Sequence, residues 1–253
     1  MTTTSALLDH VVSVAREAAA VIMQIYRTDF EVRGKDDNSP VTQADEKAES
    51  VIVAALQRLT PDIPIVAEEA VAAGKPVTVG ERFWLVDPLD GTKEFVKKNG
   101  EFTVNIALIE QGRPVLGVVY APAIARMFWG AAGLGAWVED TGGVREIMVR
   151  TVPKEGMTVL SSRSHANSEA LADFLTQHNV ARVQQAGSSL KICLIAAGEA
   201  DMYPRFGPTM EWDLAAGHAV LRAAGGRLTD LDGHEMQYGK QGLENPNFVA
   251  RGA

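Results

Sequence analysis

The sequence predicts a layered α+β fold, and three features carry that reading. Apolar positions recur at helical spacing near the start of the chain and again before Leu59. Short segments of alternating polarity then follow one another through the middle, with only turn residues between them. Towards the C-terminus helical and extended segments mix without the regular alternation of a barrel. At 253 residues, 46% of them hydrophobic, the chain can build a substantial core as one large domain or two lobes.

Leu8, Val11, Ala15, Ala18, Ile22 and Ile25 share one helical face, which predicts a helix over 5–27 capped by Thr4 or Ser5. Arg33 to Ser39 is polar and closes on Asn38-Ser39-Pro40, a turn. Ala48, Val51, Ala55, Leu56 and Leu59 mark a second helix, whose start has Thr42 and Asp45 at capping-box spacing. On spacing alone Asp45 reads as a helix cap. Ile63 to Ala67 reads as a strand running into Glu68-Glu69, and residues 70–82, with Gly74, Pro76 and Gly80, as an excursion. Phe83 to Val86 is a buried strand, and Phe102, Val104, Ile106 and Leu108 alternate as the next. Val115 to Tyr120 and Met127 to Gly130 continue the sheet, with turns at Gly112-Arg113-Pro114 and Gly133-Leu134-Gly135.

The glycine- and charge-rich run from Asp140 to Glu155 is the expected boundary between an N-terminal lobe, 1–150, and a C-terminal lobe, 151–253. Beyond it come a strand at Thr158 to Ser161, a helix over 167–178, and a helix opened by Gly187-Ser188-Ser189. Cys193 on that last helix reads as a small core residue. Asp201 to Arg205 is a strand, Trp212-Asp213 begins an alanine-rich helix ending at Gly225-Gly226, and Leu228 to Leu231 and Phe248 to Ala250 are final strands.

A formal net charge of -8 argues against general binding to nucleic acid or to an anionic membrane. The single cysteine excludes an intramolecular disulfide framework and a cysteine-rich zinc site. No signal-type segment and no run of transmembrane length is present, so the default compartment is the cytoplasm.

The stretch Asp87-Pro88-Leu89-Asp90-Gly91-Thr92 sets the chemistry. Carboxylates at the end of a core strand call for a cationic partner. Pro88 holds the backbone between the acids nearly fixed, leaving the Asp87 and Asp90 oxygens and the Leu89 carbonyl to converge as hard divalent cations such as magnesium require. Gly91 permits a tight turn, after which the amides face an anion. Glu68 and Asp213 recur in similar positions, at a strand end and a helix start. Such acids converging would repel strongly unless cations neutralise them.

With these residues in view, the whole chain resembles the inositol monophosphatase superfamily of metal-dependent, lithium-sensitive phosphatases. The resemblance rests on Asn38 to Thr42 with Asp45, Glu68-Glu69, Asp87 to Thr92, and Trp212-Asp213-Leu214-Ala215-Ala216-Gly217. Within the superfamily, Lys93-Glu94-Phe95, Asn99 to Asn105, Ser162-Arg163-Ser164-His165, Gly187 to Lys191 and Tyr203 to Thr209 are similar to the CysQ-type 3'(2'),5'-bisphosphate nucleotidases. On pattern alone Arg163 is equally a surface ion pair and His165 a helix cap.

The resemblance implies a layered α/β/α/β/α sandwich of the inositol monophosphatase and sugar phosphatase type. It implies two or more Mg2+ ions held by Glu68, Asp87, the Leu89 carbonyl, Asp90 and Asp213, and a catalytic group of Asp45, Thr92 and Glu68 that activates a water. Substrate contacts are implied at Asp87, Leu89, Asp90, Gly91, Thr92, Lys93, Ser164, His165, Gly187, Ser188, Lys191, Arg205 and Asp213. The implied reaction removes the 3'-phosphate of adenosine 3',5'-bisphosphate, with the sulfated analogue 3'-phosphoadenylyl sulfate as a second substrate, in sulfur assimilation. The implied partner is this small nucleotide, for a monomer or homodimer in the cytoplasm; the family leaves room for peripheral attachment to the cytoplasmic face of the inner membrane. The alternatives are an inositol monophosphatase and a non-catalytic metal- or nucleotide-binding regulator.

Overall fold

The computed structural model describes residues 3–28, 32–34, 40–76, 79–163 and 169–252. Helix α1 (Thr4–Tyr26) is capped by Thr3, one residue before the predicted caps, whose hydroxyl accepts from the Ala6 amide at 3.3 Å. Strands β1 (Val32–Gly34) and β2 (Pro40–Thr42) pair antiparallel on either side of the expected turn, whose residues 35–39 lie outside those described. Helix α2 (Gln43–Leu59) then leads to β3 (Ile65–Ala67) and the short helix α3 (Glu68–Ala72), which takes up the first part of the expected excursion.

A seven-stranded sheet in the order β3 to β9 forms the first half of the core. Its remaining strands are β4 (Arg82–Asp90), β5 (Thr103–Glu110), β6 (Arg113–Ala121), β7 (Arg126–Ala131), β8 (Gly135–Asp140) and β9 (Gly143–Ile147). Helix α4 (Thr92–Val96) lies between β4 and β5, and a single 3-10 turn, Pro122–Ile124, precedes β7. The run starting at Asp140 is thus not linker throughout. Asp140 accepts from the Gly142 amide at 2.9 Å, closes a tight turn and sends the chain back as β9.

The second, five-stranded sheet has the order β11-β10-β12-β14-β13. It comprises β10 (Met157–Ser162), β11 (Val180–Ala186), β12 (Met202–Arg205), β13 (Arg227–Asp230) and β14 (Phe248–Arg251), with α5 (Glu169–Thr176), α6 (Leu190–Ala196) and α7 (Glu211–Ala223) between them in sequence. Strand β11 was not visible in the sequence because it is an exposed edge: Arg182, Gln184 and Gln185 replace the apolar alternation that a buried strand shows.

Alternation within each strand sorts the layers. Trp84, Val86, Val104, Ile106, Leu116 and Val118 face α1 and α2 in one cluster. On the opposite face Phe83, Leu85, Ala107, Val119 and Phe128 meet α6 and α7, which also bury Leu160, Tyr203 and Phe248 of the second sheet. Val159, Met202 and Val249 turn outward under Phe174 and Leu175 of α5. The order is therefore α/β/α/β/α, as expected. Cys193 is buried within the middle layer, as a core residue.

Helix α7 lies very close to β6. A Cβ on Gly117 would stand 2.4 Å from the Ala216 carbonyl oxygen and 2.7 Å from the Ala219 Cβ, so only glycine admits the helix at this distance. Gly217 makes the same allowance for Ile192 of α6, at 3.1 Å. The expected result is that Gly117→Ala pushes α7 off the sheet and destabilises the fold by about 1–3 kcal/mol or more, as overpacking does. Chemical denaturation of the two proteins checks this.

Candidate active site

The site begins at a defect in β4. Residues three apart on a regular strand face opposite sides, so Asp87 and Asp90 should not meet. The pairing shows why they do. Asp87 lies opposite Asn105 and Asp90 opposite Thr103, so β4 spends one residue more than β5 between the two pairs. This bulge restores parity and puts both aspartates on the face that looks towards α6 and α7. Pro88 has no amide to lose there, and the Leu89 amide donates to Asp87 Oδ1 at 3.0 Å. The strand was expected to end in the acids, and β4 does end at Asp90, with the bulge between Asp87 and Asp90. Gly91, at φ 89°, then makes the left-handed turn into α4, whose first residue is Thr92.

Other acids arrive from distant segments. Asp213 enters on the first turn of α7, and its Oδ2 accepts from the Met210 amide at 2.8 Å. The helix start is held by Glu211, fully buried, which accepts from the amides of Gly239 and Lys240 at 2.7 and 2.9 Å. Glu68 opens α3, whose N-cap Ala67 offers no side-chain bond. That role falls to Glu49 of α2, which accepts from the Glu69 amide at 2.8 Å. Asp45 lies one turn before Glu49 on the same helix and is buried.

Electrostatics show that these acids share one basin. Burial first, and then the charges of Glu68, Asp90, Asp213 and Asp45, push the Asp87 carboxyl well above the usual carboxylate range. Burial, followed by the charge of Asp90, raises Asp213 to about 7. Burial also raises Asp90, against the pull of the Lys191 ammonium and a hydrogen bond from the Ser189 amide. The basin does not close on a single point. Among the described residues, the one trio of acidic or histidine ligand atoms within 4.8 Å of one another is Asp230, Asp232 and His234, on the exposed turn after β13. The donor set of the basin is nevertheless all hard oxygen, including the Leu89 carbonyl position, and fits divalent cations of the magnesium type. Glu68, Asp87, Leu89, Asp90 and Asp213 are the residues that would hold them.

Beside the acids lies a recess of about 170 Å³ lined by Asp90, Gly91, Lys93, Ser188, Lys191 and Arg205 among others. Lys191 is almost wholly buried and donates to the Ala186 and Ser188 carbonyls at 3.1 and 2.6 Å, with its ammonium 5.1 Å from the Tyr203 ring centre. It thus holds the turn over 186–189 as well as facing the recess. Burial brings its ammonium down to about 8, against the opposing pull of Asp90. Gly187 is a forced glycine: a Cβ there would meet the Glu101 backbone oxygen at 2.8 Å. Glu101 accepts from the Gly187 amide and pairs with Arg163 at 2.6 Å, so Arg163 is an ion pair that braces this turn. Ser164 and His165 lie outside the described residues.

Four of the groups that shape this site stood in the sequence only inside longer matching stretches, with no role assigned to them. Tyr203 under Lys191, Ser189 on Asp90, and Thr103 and Asn105 opposite the aspartates all come into place through tertiary contact. Only the even spacing of Thr103 and Asn105 on an alternating strand hinted that both face the acids.

Known proteins share this fold. The model of the inositol monophosphatase family matches residues 4–251. The chain belongs to that family. It is 49% identical over 245 residues to the 3'(2'),5'-bisphosphate nucleotidase CysQ of Salmonella typhimurium, covering 96% of this chain and 98% of that one. Among solved structures it resembles CysQ from Bacteroides thetaiotaomicron, with a TM-score of 0.81 and 37% identity over 97% and 96% of the two chains. It also resembles an inositol monophosphatase from Anabaena, with a TM-score of 0.77 and 29% identity over 99% and 92%.

The raised Asp213 gives the family basin a pH signature in metal-free protein. Folding must hold Asp213 at about 7 against an ordinary value of 3.8, so its contribution is intact below about pH 4 and is lost as pH rises through 7. In chelator-treated protein, Asp213→Asn is therefore expected to gain stability relative to the parent as pH rises across that window. Urea unfolding at several pH values measures the difference; a constant offset would contradict it.

Proposed function

We propose that this enzyme is a Mg2+-dependent 3'(2'),5'-bisphosphate nucleotidase that removes the 3'-phosphate of adenosine 3',5'-bisphosphate, giving AMP and phosphate. The observation that carries the reading is the juxtaposition of a buried carboxylate basin with a recess lined by Lys93, Lys191 and Arg205. The basin suits cations that bind the phosphoryl group being cut, and the recess supplies positive charge for a second phosphate. The near full-length likeness to proteins named as bisphosphate nucleotidases points the same way.

On this reading Glu68, Asp87, the Leu89 carbonyl, Asp90 and Asp213 hold two or more Mg2+ ions. Bound there, the ions lower the pKa of water and neutralise charge growing on the phosphoryl oxygens. Asp45 accepts a hydrogen bond from the Thr92 hydroxyl, which leaves the Thr92 oxygen to accept from the attacking water; this pair and Glu68 orient the water, and one of the two carboxylates takes the single proton that it gives up. The water attacks phosphorus in line with the departing 3'-oxygen, and Thr92 is not a nucleophile. The Gly91 and Thr92 amides, at the opening of α4, donate to the phosphoryl oxygens. Lys93, Gly187, Ser188, Lys191 and Arg205 hold the rest of the nucleotide, and Ser164 and His165 belong to the same contact set. Residues up to about 150 then supply most of the cation ligands, and those beyond supply Asp213 and substrate choice.

A cytoplasmic role in sulfur assimilation, where this nucleotide is a by-product, follows from the same reading. Among the described residues, no helix is long and apolar enough to cross a membrane.

Two measurements test the proposal. Turnover of adenosine 3',5'-bisphosphate should exceed that of inositol 1-phosphate; the reverse preference would replace the nucleotide with an inositol ester. Phosphate release should vanish with chelator, fall with lithium, and drop about a hundredfold or more in Asp90→Asn. Near-normal activity in that variant would remove Asp90 from the machinery.

A further inference from the structure

Behind the two aspartates runs a line of side chains of which the reaction scheme uses only Ser188, at its outer end. Ser189 Oγ lies 2.7 Å from Asn105 Oδ1. Thr103 Oγ1 lies 2.8 Å from Ser189 Oγ and 2.8 Å from Ser188 Oγ. The Ser189 amide donates to the Asp90 carboxylate at 2.6 Å. Thr103, Asn105 and Ser189 are all buried, so no solvent completes their bonding. Ser188 holds a left-handed φ of 44°, uncommon for a residue with a side chain, to bring its hydroxyl there.

Proton counting gives this line a direction. Each hydroxyl has one proton to donate. Ser189 Oγ donates to Asn105 Oδ1, so its oxygen is left to accept from Thr103, and the Thr103 oxygen accepts from Ser188. Asn105 Nδ2, on the far side of the amide, is a buried donor without a partner.

We propose that Thr103, Ser189 and Asn105, joined by Ser188 at the outer end, form one hydrogen-bond chain that fixes Ser189, and that Thr103, Ser189 and Asn105 are positioning residues: they hold the Ser189 amide on Asp90 and so keep this carboxylate in a single orientation for a divalent cation. Cutting a link leaves a buried hydroxyl or amide without its partner, so the place of the Ser189 amide depends on the whole chain. The chain also ties β5 to the turn that precedes α6, which joins the cation basin to the recess. The inference rests on the reading of Asp90 as a cation ligand.

The test is a calorimetric titration of the full chain with Mg2+ and no substrate, on the parent, Thr103→Val and Thr103→Ser. Valine keeps the shape and cuts the chain; serine keeps the hydroxyl. Thr103→Val should weaken Mg2+ binding about tenfold, the scale on which groups behind metal ligands act, and Thr103→Ser should restore it to within about twofold of the parent. If Thr103→Val fails to fold, Ser189→Ala cuts the neighbouring link while keeping the Ser189 amide, with the same expected loss. A parent that binds Mg2+ and a cut variant that binds it equally well would overturn the chain alone. Equal weakening by valine and serine would overturn it too, as a packing effect. A parent that takes up no Mg2+ would overturn the cation reading of Asp90, and this inference with it.

Discussion

A buried carboxylate surrounded by carboxylates is the constraint on which the structure turns. Asp87 is almost entirely removed from water, and the charges of Glu68, Asp90, Asp213 and Asp45 all raise its carboxyl further. Taken alone, this costs folding free energy, because neither burial nor like charge favours the ionised form. The surrounding structure offsets part of that cost with fixed donors. The Leu89 amide bonds Asp87, the Met210 amide bonds Asp213, and the Ser189 amide and Lys191 attend to Asp90. A fold with so concentrated a set of hard oxygen ligands is built to receive positive charge.

The layers deliver these groups to one basin. The first sheet supplies Asp87 and Asp90 from its β4 bulge; α2 supplies Asp45 and, through Glu49, steadies the start of α3 that bears Glu68. The middle layer supplies Asp213, and it can do so only because Gly117 lets α7 settle onto β6 and Gly217 lets α6 settle onto α7. Two kinds of position therefore matter as much as the ligands themselves. One is the glycine that permits close approach, and the other is the buried acid, such as Glu211 or Glu49, that accepts from amides at the helix or turn it anchors.

The recess shows the same economy. Lys191 bonds two carbonyls of the turn over 186–189, lies against Tyr203 and offsets the charge of Asp90. The Glu101–Arg163 pair reaches the same turn through the Gly187 amide. The turn is thus braced from both halves of the chain, which joins the carboxylate basin to the neighbouring recess.

Much of this was legible in the order of residues. Strong periodicity marked α1, α2 and the central strands, and the acid-proline-acid-glycine-threonine stretch marked the chemistry, because local rules of spacing and turn formation govern both. The α/β/α/β/α layering was legible through resemblance. Other features were not. The exposed strand β11 lacks the alternation that burial imposes, and the tight turn after Asp140 looked like linker because glycine and charge serve both. The stretch Asp87 to Thr92 was readable as a pair of acids, yet its spacing alone would place them on opposite faces. Only pairing with β5, at one residue's mismatch, brings them together. The contacts of Thr103, Asn105 and Ser189 with one another were not legible for the same reason: hydrogen bonds across more than eighty residues leave no local pattern. The sequence by itself determined which residues are acids and which segments are helix or strand, since these depend on neighbours in the chain. The tertiary structure decided which of them share a face, because that is set by register and close packing between segments far apart.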